Sequence, residues 1–260
     1  MSAGTFTPRP GAAPVTRMIL AQTALETRML LRNGEQLLLT VIIPALLLTL
    51  FSAVDIVTVP VHEGGGGKSV DFLAPGILAL AVMSTAFTGQ AIATGFDRRY
   101  GVLKRLGASP LPRWALMAAK TLSVLVTEVL QIALLTVIAL ALGWSPQGDP
   151  LSVAVLILLG TAAFSGLGLL MAGTLKAEVT LAAANLVFLL LLVGGGVIVP
   201  LDKFPDAVRQ VLELLPISAL SDGLREVLQH GAALPWGDAA VLAGWAVLGL
   251  GAAARLFRWE

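Results

Sequence analysis

The chain of 260 residues has no cysteine, so it carries neither a disulfide framework nor a thiolate metal site, and its redox compartment leaves no mark on the sequence. Histidine is nearly as scarce, with His62 and His230 as its two copies. There is no H-E-x-x-H pair and no Ser-His-Asp arrangement with a second polar partner nearby, which argues against an enzyme built on either. Charge is thin as well. Only 13% of residues are charged, against roughly a quarter in soluble globular domains. The net charge of +1 hides an uneven split along the chain and so says nothing about acidic partners; no nucleic-acid partner is expected.

One stretch imitates a nucleotide site. His62–Ser69, HEGGGGKS, ends in glycines, a lysine and a hydroxyl residue. A phosphate-binding loop needs G-x-x-x-x-G-K-[ST], so that backbone N–H groups and the lysine converge on phosphates. The position of the first glycine is occupied by His62. Residues 70–87 beyond it form a long apolar run and not a phosphate-cradling helix, so the stretch reads as a flexible connector.

The bulk of the chain is aliphatic. It is 57% hydrophobic with a mean hydropathy of +0.88. Runs of membrane-spanning length recur at Leu37–Val54, Phe72–Thr94, Thr121–Leu142, Leu151–Gly173, Val179–Val199 and Ala239–Ala254. This patterning predicts an all-α integral membrane protein with six transmembrane helices. The first run begins only at Leu37, after a polar segment bearing arginines, so no cleaved signal is expected and the first span is expected to be retained.

Orientation follows from lysine and arginine. Thirteen fall in the N-terminal segment, the stretch after the second span, the short loop at Lys176 and the tail, against Lys68, Lys203, Arg209 and Arg225 elsewhere. That asymmetry predicts a multi-pass protein of the cell (plasma or inner) membrane with both termini, and residues 95–120, in the cytoplasm. Residues 1–36 form a cytoplasmic N-terminal segment. Within it, Arg17, Arg28 and Arg32 lie within about 60° on a helical wheel, which predicts a helix at the lipid headgroup boundary or, alternatively, in contact with a cytoplasmic partner.

Inside the spans, the one ionisable residue is Glu128, about 10 Å into the third span from its cytoplasmic end. Thr121, Glu128 and Gln131 share a helical stripe, and Asn185 adds a polar group to the fifth span. These groups are candidates either for hydrogen-bonded packing between helices or for lining a substrate path. Small residues at Ala162/Gly166 and Gly168/Ala172 read as close helix packing.

Two further segments carry a pattern. In residues 94–120, TGFDRRYGVLKRLGASPLPRWALMAAK, the spacing of Val102, Leu103 and Leu106 gives a short helix an apolar edge among Arg98, Arg99, Lys104 and Arg105, ended by Pro110 and Pro112. Residues 199–236 are too polar to span and break at Pro216 into two short helices, with Pro205 in the first turn of one, Ser218 or Ser221 capping the other and Gly231 ending it.

Asp97, Gly101, Leu103, Arg105, Leu106, Ser109, Pro110 and Leu111 match the cytoplasmic coupling loop of the ABC-2 type permeases, the membrane subunits of ABC exporters in the daunorubicin-resistance and polysaccharide-export group. The chain resembles that family, with Val102 and Lys104 in place of the commoner Thr and Glu. Pro200, Phe204, Pro205, Pro216, Gly223, Leu224 and Arg225 resemble its outer re-entrant hairpin between the fifth and sixth helices.

The resemblance implies a single permease domain over 1–260 that transports a hydrophobic or amphipathic compound outward: a drug, a lipid or a lipid-linked glycan. It implies a separate ABC ATP-binding subunit carrying the ATP and Mg, no cofactor on this chain, and a second permease, identical or related, with membrane lipid around the pair. The coupling loop is implied to receive the ATPase's movement mechanically. Two rival readings are a proton-coupled secondary transporter using Glu128 and a structural or regulatory membrane subunit. The first lacks the paired broken helices of inverted repeats.

Overall fold

The computed structural model describes residue 11 and residues 13–53, 69–197, 201 and 205–257. They form eleven α-helices and no strand. The helices are α1 (Val15–Arg32), α2 (Gly34–Ala53), α3 (Ser69–Met83), α4 (Gln90–Arg99), α5 (Val102–Gly107), α6 (Arg113–Ala141), α7 (Pro150–Thr174), α8 (Ala177–Gly194), α9 (Asp206–Leu212), α10 (Pro216–His230) and α11 (Trp236–Leu256). A π-helical turn, Ser84–Gly89, joins α3 to α4 without a break.

Among the described residues, five helices are long and apolar enough to cross a membrane: Ser69–Arg99, Trp114–Ala141, Pro150–Thr174, Ala177–Gly194 and Trp236–Leu256. They account for five of the six expected spans. The remaining one, expected over Leu37–Val54, falls on α2, whose apolar stretch Thr40–Ser52 is shorter. The second span also runs further than its hydropathy indicates. It continues through the charged end of α4 to Arg99, so the basic segment shortens to α5 and its flanking turns.

A helix that is apolar all round belongs either in a protein core, with every face covered, or in lipid, and α3 takes the first place. Its Leu73, Ile77, Ala79, Leu80, Ala81, Val82 and Met83 are all buried. It sits at the centre, with α2, α6, α7 and α10 against it. By contrast α8 buries little, and Val179, Leu186, Leu189, Leu190 and Val193 face outward. Such an aliphatic face suits lipid.

The tightest crossing is between α7 and α11. A Cβ on Gly166 would lie 2.5 Å from the Leu250 nitrogen, so the two backbones touch with no room for a side chain. Gly168 serves a different neighbour. A Cβ there would come within 2.9 Å of the Phe87 carbonyl oxygen in the π turn. At the start of α7, Asp149 accepts hydrogen bonds from the backbone N–H groups of Leu151 and Ser152 at 3.2 and 3.1 Å. Those two bonds, Leu151's first, hold its carboxyl below the usual aspartate range. This cap strengthens the fold above the unfolded carboxyl's range and is lost as pH falls through the lowered folded value.

The two short helices after α8 are α9 and α10. Pro205 precedes α9, Pro216 opens α10 and Gly231 ends it with a left-handed φ of 62°. Neither Ser218 nor Ser221 caps α10, contrary to the sequence expectation, because the helix begins two residues before Ser218. Ser221 instead donates to the Gly195 carbonyl at 3.2 Å.

Candidate functional site

The charged end of α4 is a junction. Lys120, buried on α6, reaches Asp97 of α4 at 2.7 Å and Glu26 of α1 at 3.0 Å. Gln22 donates to Glu26 at 2.9 Å and Thr23 contacts the Ala119 carbonyl at 3.4 Å, so α1 packs on α6 through its polar residues. Next along α4, Arg98 donates to the Leu175 carbonyl between α7 and α8, and Arg99 pairs with Glu178 of α8. Three consecutive residues, Asp97 to Arg99, therefore tie this end of α4 to α1, α6 and the α7–α8 turn.

Fastening α1 by its polar side turns the rest outward. Leu20, Leu25, Met29 and Leu31 are exposed, and they flank the stripe of Arg17, Arg28 and Arg32. Glu26, the one acidic residue of the helix, points inward to Lys120, which leaves the outer surface cationic and aliphatic.

Immediately after this junction the chain turns at Gly101, whose φ of 70° lies in the left-handed region. There α5 starts. Leu103 is fully buried among Leu116, Leu169, Ala253 and Phe257. The sequence placed Leu103 on a dockable edge. In the structure it is the anchor that pins α5 to its own bundle. Leu106 is half-buried beside it, while Lys104, Arg105, Pro110, Tyr100 and Trp114 are exposed. Ser109 donates to the Leu106 carbonyl at 2.5 Å and closes the helix.

On the flank of the bundle lies a cleft of about 670 Å³ between α2, the π turn, α4 and α8. Its walls are aliphatic and aromatic, with Asn33, Thr40, Ser84, Thr88, Asn185 and Asp97 as polar points. A π turn adds a residue to the helical circuit and commonly marks a functional site. Here Ser84, Thr88 and Gly89 of that turn face the cleft.

A family model described as ABC-2 type transporter matches residues 19–228. The chain belongs to the ABC-2 type transporter family. It is 25% identical over 235 residues to the putative transport permease YvfS of Bacillus subtilis (strain 168), covering 87% of this chain and 91% of that protein. The linearmycin resistance permease protein LnrN of the same organism is 29% identical over 171 residues, which is 65% of this chain and 44% of LnrN. This chain is thus a multi-pass ABC-2 permease.

Within the permease, the polar residues of the spans divide. Asn185 lines the cleft and donates to the Leu181 carbonyl at 2.9 Å. Gln131 stands behind it, accepting from Thr85 at 2.8 Å and donating to the Thr40 carbonyl at 2.6 Å. Glu128 faces α7, where its Oε2 lies 2.6 Å from the Thr161 hydroxyl, and it does not line the cleft.

Arg225 and Gly223 lie on the inner face of α10. The Arg225 guanidinium sits 4.0 Å over the Phe72 ring, donates to Val197 at 2.9 Å and pairs with Asp222 at 2.8 Å. Gly76 makes room for it, since a Cβ there would lie 2.8 Å from the Arg225 nitrogen. Arg225 therefore fastens the start of α3 to α10. Pro200 and Phe204 lie outside the described residues.

Sequence reasoning missed the Glu26–Lys120–Asp97 set and the π turn. The first left a signal: a lysine at the edge of an apolar span needs a carboxylate, and α1 holds a single acidic residue. The π turn left only a weak one, a cluster of poor helix formers, Ser84, Thr85, Thr88 and Gly89, inside an apolar run, which does not by itself distinguish a π turn from any other helical irregularity.

Proposed function

We propose that this permease is the membrane subunit of an ATP-driven exporter, powered by a separate ATP-binding subunit that carries the ATP and Mg. Family membership supports the permease role. The single observation that carries the coupling is the junction at the end of α4. A push on α5 from a partner is transmitted through Gly101 into Asp97–Arg99, and from there to α1, to α6 and to α8, the last of which walls the cleft together with α4 itself. Six spans, cytoplasmic termini, an outer hairpin made of α9 and α10, and a paired second permease complete the reading. The aliphatic cleft favours a hydrophobic or amphipathic substrate.

Co-purification from mild detergent tests the energy source. An ATP-binding protein is expected to accompany the full chain, and vesicles holding both are expected to export only with ATP. Transport that needs a proton gradient and no ATP would replace this reading with a secondary transporter. Topology is testable without background, because the chain has no cysteine. His230→Cys is expected to react with an impermeant maleimide from outside, and Ser109→Cys only after permeabilisation.

Glu128 is expected to tolerate Gln better than Lys. An amide preserves a hydrogen bond to Thr161, whereas an ammonium at this depth costs roughly 3 kcal/mol in insertion. Membrane level and transport of the two variants are the measurement. Normal level with lost transport in Glu128→Gln would assign the carboxylate a direct part in transport.

A further inference from the structure

Behind the cleft lies a second, much smaller pocket of about 30 Å³, between α1, α4 and α6. Gly89 and Ala93 line both, so the wall between them is one helix thick. Its polar lining is Glu26, Thr85, Gln90, Thr94, Lys120 and Ser123. Gln90 is only 5% exposed and Thr94 only 1%. Neither amide atom of Gln90 has a hydrogen-bonding partner in the protein, and neither has the Thr94 hydroxyl. A buried polar atom left unmatched forfeits its hydration with nothing in return. Three such atoms around one pocket indicate a shared ligand.

The chemistry of the lining selects that ligand. A metal cation would meet the Lys120 ammonium, which already has Glu26 and Asp97 upon it. An anion would meet those two carboxylates. An apolar group would leave Gln90 unsatisfied. Gln90 offers two N–H donors and a carbonyl acceptor, Thr94 a hydroxyl of both kinds, and Lys120 has three N–H groups of which the carboxylates take two. A neutral molecule that donates and accepts in several directions fits all three, and a volume of about 30 Å³ accommodates about one or two waters with two to four polar partners each.

We propose that this pocket is an internal water site, in which water joins Gln90 and Thr94 of α4 to Lys120 of α6. The water completes the coordination of Lys120 and backs the wall of the cleft with a polar layer. It makes the Glu26–Lys120–Asp97 set part of a longer polar column, because Thr85 lines the pocket and bonds Gln131. The site does not depend on the transport reading.

The sign of one substitution tests it. In the purified full chain, Gln90→Met removes the amide while nearly keeping its shape. With water present, the change strands the water and Thr94, and the melting temperature is expected to fall by about 3–6 °C. Thr94→Val is expected to act in the same direction, and the double variant to lose less than the sum because both residues bind the same water. In a dry pocket Gln90→Met removes two unsatisfied atoms, so an unchanged or raised melting temperature overturns the proposal. Should either variant fail to fold, a cryo-EM map of the parent chain that resolves ordered waters decides the matter. Density within hydrogen-bond distance of Gln90 and Lys120 is expected, and a clean void there overturns the site.

Discussion

Lys120→Met is expected to lower the stability of the chain by about 3–5 kcal/mol, the typical cost of removing one partner from a buried ion pair. Lys120 and Glu26 have side chains only 5% and 10% exposed, and Asp97 is 27% exposed where it borders the cleft. Without the ammonium, two carboxylates face each other across a packed helix junction. The loss corresponds to a fall of roughly 6–20 °C in melting temperature for a chain of this size. The companion variant, Lys120→Met with Glu26→Gln and Asp97→Asn, is expected to recover most of it, because neutral groups remove the desolvation cost along with the attraction. A single variant melting within a degree or two of the parent would show that the three charges are hydrated and energetically idle. If the junction also transmits movement, the triple variant is expected to hydrolyse ATP with its partner while transporting poorly.

That set explains how much of the architecture is legible in the sequence. Five spans are readable because their apolar runs come close to or pass the roughly 20 residues that a bilayer requires, which needs only local hydropathy along the chain. Contacts between spans are not such a property. In the sequence Lys120 counts as one more cytoplasmic charge, and its partners lie 94 and 23 residues away in the chain, at Glu26 and Asp97. Small-residue pairs in α7 are legible as close packing, yet only the structure separates Gly166, set against α11, from Gly168, set against the π turn. Of the polar groups singled out, Asn185 lies in the cleft while Gln131 and Glu128 are hydrogen-bonded between helices, a difference of helix rotation that hydropathy does not encode.

Leu103→Asp is expected to damage the permease itself and not only its association with a partner. The leucine is fully buried against Leu116, Leu169, Ala253 and Phe257, so the substitution forfeits roughly 1.5–3 kcal/mol of apolar burial and places a carboxylate where no cation is paired with it. Membrane level and melting temperature are expected to drop together. The outward rim of α5 gives the opposite separation. Lys104→Glu with Arg105→Glu alters two exposed side chains, and such surface changes usually stay within about 0.5 kcal/mol of the parent stability. If α5 meets an ATP-binding subunit, reversing two charges there is expected to weaken capture of that subunit by tenfold or more, since about 1.4 kcal/mol of lost contact suffices. Pull-down of the partner and transport in vesicles, each normalised to membrane level, distinguish the two effects. A rim variant that is correctly inserted, still captures its ATPase and still transports would remove α5 from the coupling interface. Leu103 would then be a packing residue whose agreement with the family pattern reflects the fold of the loop and not a contact made by it.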